Sequence, residues 1–103
     1  MVTIDVRCDG GPGDGWACRV VIREGGAAIS THLVGVRPAD LDRLAPGATD
    51  PTALVESAFR FLLERELPRM ILPSFDLPDI GRYFPSFEQD VRGGTGTGGQ
   101  GDR

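Results

Sequence analysis

The chain has no lysine and no asparagine, so all 11 of its basic residues are arginines. Both missing residues have AT-rich codons, so their absence is typical of a protein from a high-GC bacterial genome. Selection for the planar, bidentate recognition of anions by arginine is the alternative interpretation. The formal net charge of −4 argues against general binding to nucleic acid or to anionic membranes, since both depend on positive charge. A local basic patch is compatible with that net charge.

Long apolar runs are also missing. No segment approaches the roughly 20 residues that cross a bilayer, so we expect no membrane association. The N-terminus shows an alternating strand pattern instead of the charged head and apolar stretch of a signal peptide. We therefore expect a cytoplasmic protein whose two cysteines are reduced thiols. A cross-strand disulfide between Cys8 and Cys18 is the alternative, and a reducing compartment disfavours it.

Residues with catalytic or metal-binding chemistry are scarce. His32 is the only histidine, and there is no CxxC pair, so we predict no metal site, no cofactor and no catalytic residues. The loop from Gly11 to Gly15 lacks the lysine of a P-loop and is interpreted as a hairpin loop. A small enzyme using His32 with Cys8 or Cys18 is the weakest of the functional alternatives.

Alternation of apolar and polar residues predicts three strands, over residues 2–8, 16–23 and 28–36. The connecting loops are short and glycine-rich, which favours an antiparallel meander.

Helical periodicity follows, over residues 38–44, 51–66 and 77–84, with Asp50 and Pro51 as a start signal for the longest helix. We predict one α+β domain over residues 1–92, a two-layer sandwich in which helices pack on one face of a three-stranded antiparallel sheet. Residues 93–103 are rich in glycine and are predicted to be a disordered tail.

The two faces of the predicted sheet differ in composition. One face is apolar and needs the helix of residues 51–66 as its cover. The opposite face mixes charged residues with apolar ones, and its candidate binding residues are Arg19, Val21, Arg23 and Leu33. Three alternatives remain for what covers this face: the aromatic C-terminal segment, a second copy of the chain, or a partner. A second candidate surface comprises Tyr83, Phe84 and Phe87.

Two stretches carry a resemblance to a known group of proteins. The segments FRFLLERE, residues 59–66, and FDLPDIGRYFPSFE, residues 75–88, resemble the C-terminal half of small proteins of high-GC bacteria with no established activity. That resemblance implies a stand-alone small domain. In outline, the predicted meander followed by a helix is also similar to HicB-type antitoxin domains.

These observations predict a non-catalytic binding or regulatory domain that acts through protein contacts, with a protein partner or a second copy of itself. The alternative is a nucleic-acid-linked antitoxin or small regulator, whose binding would weaken steeply with salt.

Overall fold

The chain folds around one sheet, and the computed structural model describes residues 1–96. Three long strands come first, followed by helices and one short strand. The strands are β1 (Val2–Gly11), β2 (Gly15–Glu24), β3 (Ala27–Val36) and β4 (Ser74–Asp76). The helices are α1 (Pro38–Leu44), α2 (Thr52–Leu63), α3 (Ile80–Tyr83) and α4 (Phe87–Gly96), with 3₁₀ turns at Pro68–Met70 and Leu77–Asp79.

The predicted meander is present, and both of its hairpins depend on glycine. Gly25 and Gly26 have φ values of 62° and 90°, so a two-residue turn joins β2 to β3. At the other hairpin, a Cβ on Gly10 would lie 2.2 Å from the carbonyl oxygen of Gly15. Only glycine fits at this position, where φ is 124°.

The sheet itself corrects the prediction of three antiparallel strands. Its order is β1-β2-β3-β4, and β4 pairs with β3 in parallel. The N–H of Leu33 donates to the carbonyl of Pro73 at 2.8 Å at the start of this pairing. The domain is therefore α+β with a four-stranded mixed sheet.

The helical layer covers one face of the sheet, as the apolar alternation predicted. Val20, Ile22 and Val34 are fully buried, together with the apolar stripe of α2 that includes Val55 and Phe59. At the edge of the sheet the cover is incomplete, because Ile4 and Val6 of β1 are only half-buried. The hydrophobic core thus lies between the helical layer and the inner face of the sheet.

The boundaries of two helices differ from the prediction. Helix α2 begins at Thr52, one residue after the predicted start, and the carboxylate of Asp50 accepts the N–H of Thr52 at 2.8 Å. It ends at Leu63, and the N–H of Arg65 bonds to the carbonyl of Leu62 three residues earlier, the 3₁₀-type bond that tightens a last turn. The predicted helix over 77–84 is divided into a 3₁₀ turn and the single turn of α3.

The C-terminal segment differs more strongly. Residues 93–96 were predicted as part of a disordered tail and instead complete α4. This helix is held by Phe87 and Val91, which are four residues apart and both buried against the core. The remainder of the predicted tail, residues 97–103, lies outside the described residues.

The cysteines also differ from the expectation of reduced thiols. Cys8 and Cys18 face each other directly across β1 and β2, and they form a disulfide. A disulfide persists where the surroundings are oxidising. The cytoplasmic localisation expected from the sequence therefore stays a prediction.

Candidate functional site

The outer face of the sheet points away from the helical layer. Because side chains alternate along a strand, the odd-numbered residues of the three long strands share this face. They are Thr3, Asp5, Arg7 and Asp9 of β1, Ala17, Arg19, Val21 and Arg23 of β2, and Thr31, Leu33 and Gly35 of β3. Most of these side chains are exposed. The aromatic C-terminal segment does not cover them, because Phe84 and Phe87 contact Phe61 of α2 in the helical layer.

The centre of this outer face is a row of three residues in register. Arg7 lies opposite Arg19, and Arg19 lies opposite Leu33. Within residues 1–96 neither arginine makes an ion pair or a side-chain hydrogen bond. Like charges directly opposite on neighbouring strands destabilise a sheet. Leu33 beside them is 49% exposed. The row combines uncompensated positive charge with an exposed apolar side chain.

The other two predicted residues of the face are less available. The Nε of Arg23 donates to the carboxylate of Asp5 at 2.7 Å, so this arginine already has an anionic partner. Val21, which lies between Arg19 and Arg23 on β2, is half-buried. The structure thus brings Arg19, Val21, Arg23 and Leu33 onto one face, but only Arg19 and Leu33 have side chains free to contact a partner.

Two residues of this face were not among the predicted binding residues. The alternation that places Arg19 on the outer face also places Arg7 there. Only the strand register shows that the two arginines lie opposite each other. Ile29 is 45% exposed, because the register of β2 and β3 shifts by one residue between Ile22 and Arg23. That irregularity leaves Ile29 without an opposite residue on β2.

A second candidate surface is an apolar groove at the end of the helical layer. The groove has a volume of about 180 Å³ and lies between the end of α2, the segment before β4, and α3. Of the predicted aromatic residues, Tyr83 and Phe84 line it, and Tyr83 is 68% exposed. Two carboxylates, those of Glu66 and Asp79, also lie in its lining.

Phe87 does not belong to a binding surface, which corrects the prediction. Its side chain is fully buried, and its ring packs edge to face against Phe61 with the centroids 5.3 Å apart. Prolines interrupt the segment before Phe87, so the helical spacing of Phe87 and Val91 is hard to recognise in the sequence. Phe87 is a core residue that attaches α4 to α2.

His32 occupies a structural position. It is 3% exposed, and its ring stacks at a tilt on Phe59 with the centroids 5.3 Å apart. Nδ1 donates to the carbonyl of Leu72 at 2.7 Å, and Nε2 then accepts the hydroxyl of Ser30 at 2.9 Å. Both nitrogens are thus used within the fold. The two cysteines suggested as nucleophilic partners are bonded to each other.

The described part of the chain holds no cluster of three or more His, Cys, Asp or Glu residues arranged to bind a metal ion. None of its helices is long and apolar enough to span a bilayer. The comparisons with known proteins found nothing, since no family model, no curated protein and no solved structure matches the chain. The resemblances to small proteins of high-GC bacteria and to HicB-type domains therefore stay predictions.

Proposed function

We propose that this domain is a non-catalytic binding module that contacts another protein through the outer face of its sheet. The pairing of Arg19 with Leu33 carries the proposal. These two side chains lie directly opposite each other on β2 and β3, both are exposed, and Arg19 has no carboxylate partner within residues 1–96. Arginine is enriched in protein interfaces, and the exposed leucine beside it adds apolar area that a partner could cover.

The chemistry of the row indicates what the partner presents. A guanidinium binds a carboxylate through two parallel hydrogen bonds, which gives both affinity and orientation. Leu33 and Ile29 supply apolar area that a partner would remove from water. The matching partner surface carries Asp or Glu next to apolar side chains.

Nucleic acid fits this outer face less well. Sheet modules that bind single-stranded RNA stack bases on aromatic side chains, and none of the outward residues on β1, β2 and β3 is aromatic. Asp5 and Asp9 of the same face would repel phosphates. The nucleic-acid-linked regulator is therefore an outcome of the test rather than a second proposal.

The test is affinity capture with the tagged full chain from a lysate of its own organism, with and without nuclease, read by mass spectrometry. The variants are Arg19→Glu and Leu33→Ser on the outer face, and Tyr83→Ser in the groove. Arg82→Glu is the matched control, because it makes the same charge change on α3 in the helical layer. Truncating a hot-spot residue weakens an interface by about 2 kcal/mol or more, which is roughly thirtyfold in affinity.

Support requires a nuclease-resistant protein that the wild type and Arg82→Glu retain and that both outer-face variants lose. Loss with Tyr83→Ser alone would place the contact in the groove and contradict the proposal. Bound material that disappears after nuclease treatment, with a steep salt dependence, would show a nucleic-acid regulator instead.

A further inference from the structure

The first strand has a free edge of unusual length. β1 spans ten residues, pairs with β2 without any register shift, and pairs with no other element within residues 1–96. Proteins protect such edges with prolines, bulges, short strands or charged side chains, including inward-pointing ones. The charges of β1 are Asp5, Arg7 and Asp9, and all three lie on its outer face. The opposite edge strand, β4, has three residues and lies between Pro73 and Pro78. β1 has no proline, no bulge and no inward-pointing charge.

The backbone groups at this edge can be assigned from the pairing with β2. The carbonyl of Met1 accepts the N–H of Gly25, so the odd-numbered residues of β1 bond towards β2. In agreement, the Cα atoms of Cys8 and Cys18 are 3.9 Å apart, the close spacing of a pair without backbone hydrogen bonds. Ile4, Val6 and Cys8 therefore direct their N–H and C=O groups away from the sheet, as an unpaired ladder.

Apolar surface accompanies this ladder. Ile4 and Val6 point towards the core but stay half-buried, and Val2 is 46% exposed. The side chains of Ile4 and Val6 both pack against the core, where α2 contacts β1, yet part of each still meets solvent. A further strand placed beside β1 would cover these side chains and satisfy the ladder in the same step.

We propose that a second copy of this chain supplies that strand, with the two β1 strands antiparallel about a two-fold axis at Val6. Charge complementarity selects the occupant and the register. In this pairing Asp5 of each copy faces Arg7 of the other, and Val6 faces itself. Centring the axis on Asp5 or on Arg7 would place like charges opposite each other. Centring it on Ile4 or Cys8 would shorten the overlap of the strands.

The dimer also resolves the unfavourable position of Arg7. In one copy this arginine lies opposite Arg19 and has no carboxylate partner among residues 1–96. The carboxylate of Asp5 from the second copy would lie beside it, while that Asp5 keeps its bond to its own Arg23. The two four-stranded sheets would then join into one sheet of eight strands. This inference does not rest on the proposed partner, because it concerns the purified chain alone.

The first test measures the mass of the purified full chain by sedimentation equilibrium. The wild type is expected at twice 11.0 kDa in a concentration-dependent manner. Asp5→Arg and Arg7→Asp each turn two symmetric attractions into repulsions and should weaken the dimer about tenfold or more. The double variant with both changes should restore it. Arg82→Asp is the control and should leave the dimer unchanged.

A wild type that stays monomeric up to hundreds of micromolar overturns the proposal, and so does a dimer that neither single variant weakens. The second test needs no charge reversal and covers a variant that fails to fold. Chains with Thr3→Cys and chains with Asp9→Cys are mixed under mild oxidation, because this register places Thr3 opposite Asp9 of the second copy. A covalent dimer in the mixture but in neither chain alone supports the register. Cross-linking of either chain with itself, or none in the mixture, refutes it.

Discussion

Replacing Phe87 by alanine tests whether this residue of the C-terminal segment packs in the core or contacts a partner at the surface. The side chain is fully buried, so the variant loses the transfer free energy of the ring and leaves a cavity beside Phe61. Buried phenylalanine-to-alanine changes cost about 3–5 kcal/mol. A domain of this size has about 5–15 kcal/mol of unfolding free energy in total, so the loss is a large fraction of it.

The assay is urea unfolding followed by the fluorescence of Trp16, the only tryptophan, which is 8% exposed in the folded state. Tyr83→Ala is the matched comparison, because its ring is 68% exposed and its loss should stay within about 0.5 kcal/mol. Phe87→Leu keeps most of the apolar volume and should lose less than Phe87→Ala, which keeps the series measurable if the alanine variant unfolds. Equal losses for Phe87→Ala and Tyr83→Ala would refute the assignment of Phe87 to the core.

Three further predictions concern stability. His32→Ala should lower the free energy of unfolding by about 1–3 kcal/mol, because it removes a buried ring together with its hydrogen bond to the carbonyl of Leu72; an unchanged urea midpoint would contradict this. Hydrogen bonds from the side chain and then the backbone of Thr52 lower the pKa of Asp50 from its ordinary value of 3.8. The stabilisation from this carboxylate is thus present above that value and lost as pH falls through the lower folded-state pKa, so Asp50→Ala should flatten the acid limb of a melting-temperature profile. Gly35→Ala should change the free energy of unfolding by less than about 1 kcal/mol, because the atom 2.5 Å from the new Cβ is the end of the exposed Asp76 side chain, which can turn away. A loss above about 2 kcal/mol in chemical denaturation would contradict this and show that the carboxylate is held in place.

Elements with a local signal were predictable from the sequence. The three long strands follow from alternation and glycine turns, and α2 follows from its apolar stripe and the Asp50 start signal. β4 was missed because its three residues have no period of their own. Its pairing joins Leu33 to Ser74, far apart in the chain, so only tertiary packing defines it.

The candidate site shows the same division. Alternation alone predicted that Arg19 and Leu33 share the outward face, and the structure places them opposite each other. Alternation does not set the stagger between strands, so the ion pair that occupies Arg23 and the uncompensated position of Arg7 could not be derived from it. Both depend on cross-strand register, which the hairpin at Gly10 fixes through a backbone approach too close for a side chain.

The outer face and the free edge of β1 place different demands on the same strand. An edge strand with charges on its exposed face is kept from indiscriminate pairing, because a register centred on a charged residue brings like charges together. On β1 the order Asp5, Arg7, Asp9 rejects pairing centred on Asp5 or Arg7 and permits the long pairing centred on Val6. Charges that protect a monomer therefore also specify one dimer. Arg19 lies one strand inward and is not used by that pairing, so it stays available on both halves of the joined sheet. Two identical contact rows related by a two-fold axis would let the dimer bind a bivalent partner more tightly than either copy alone.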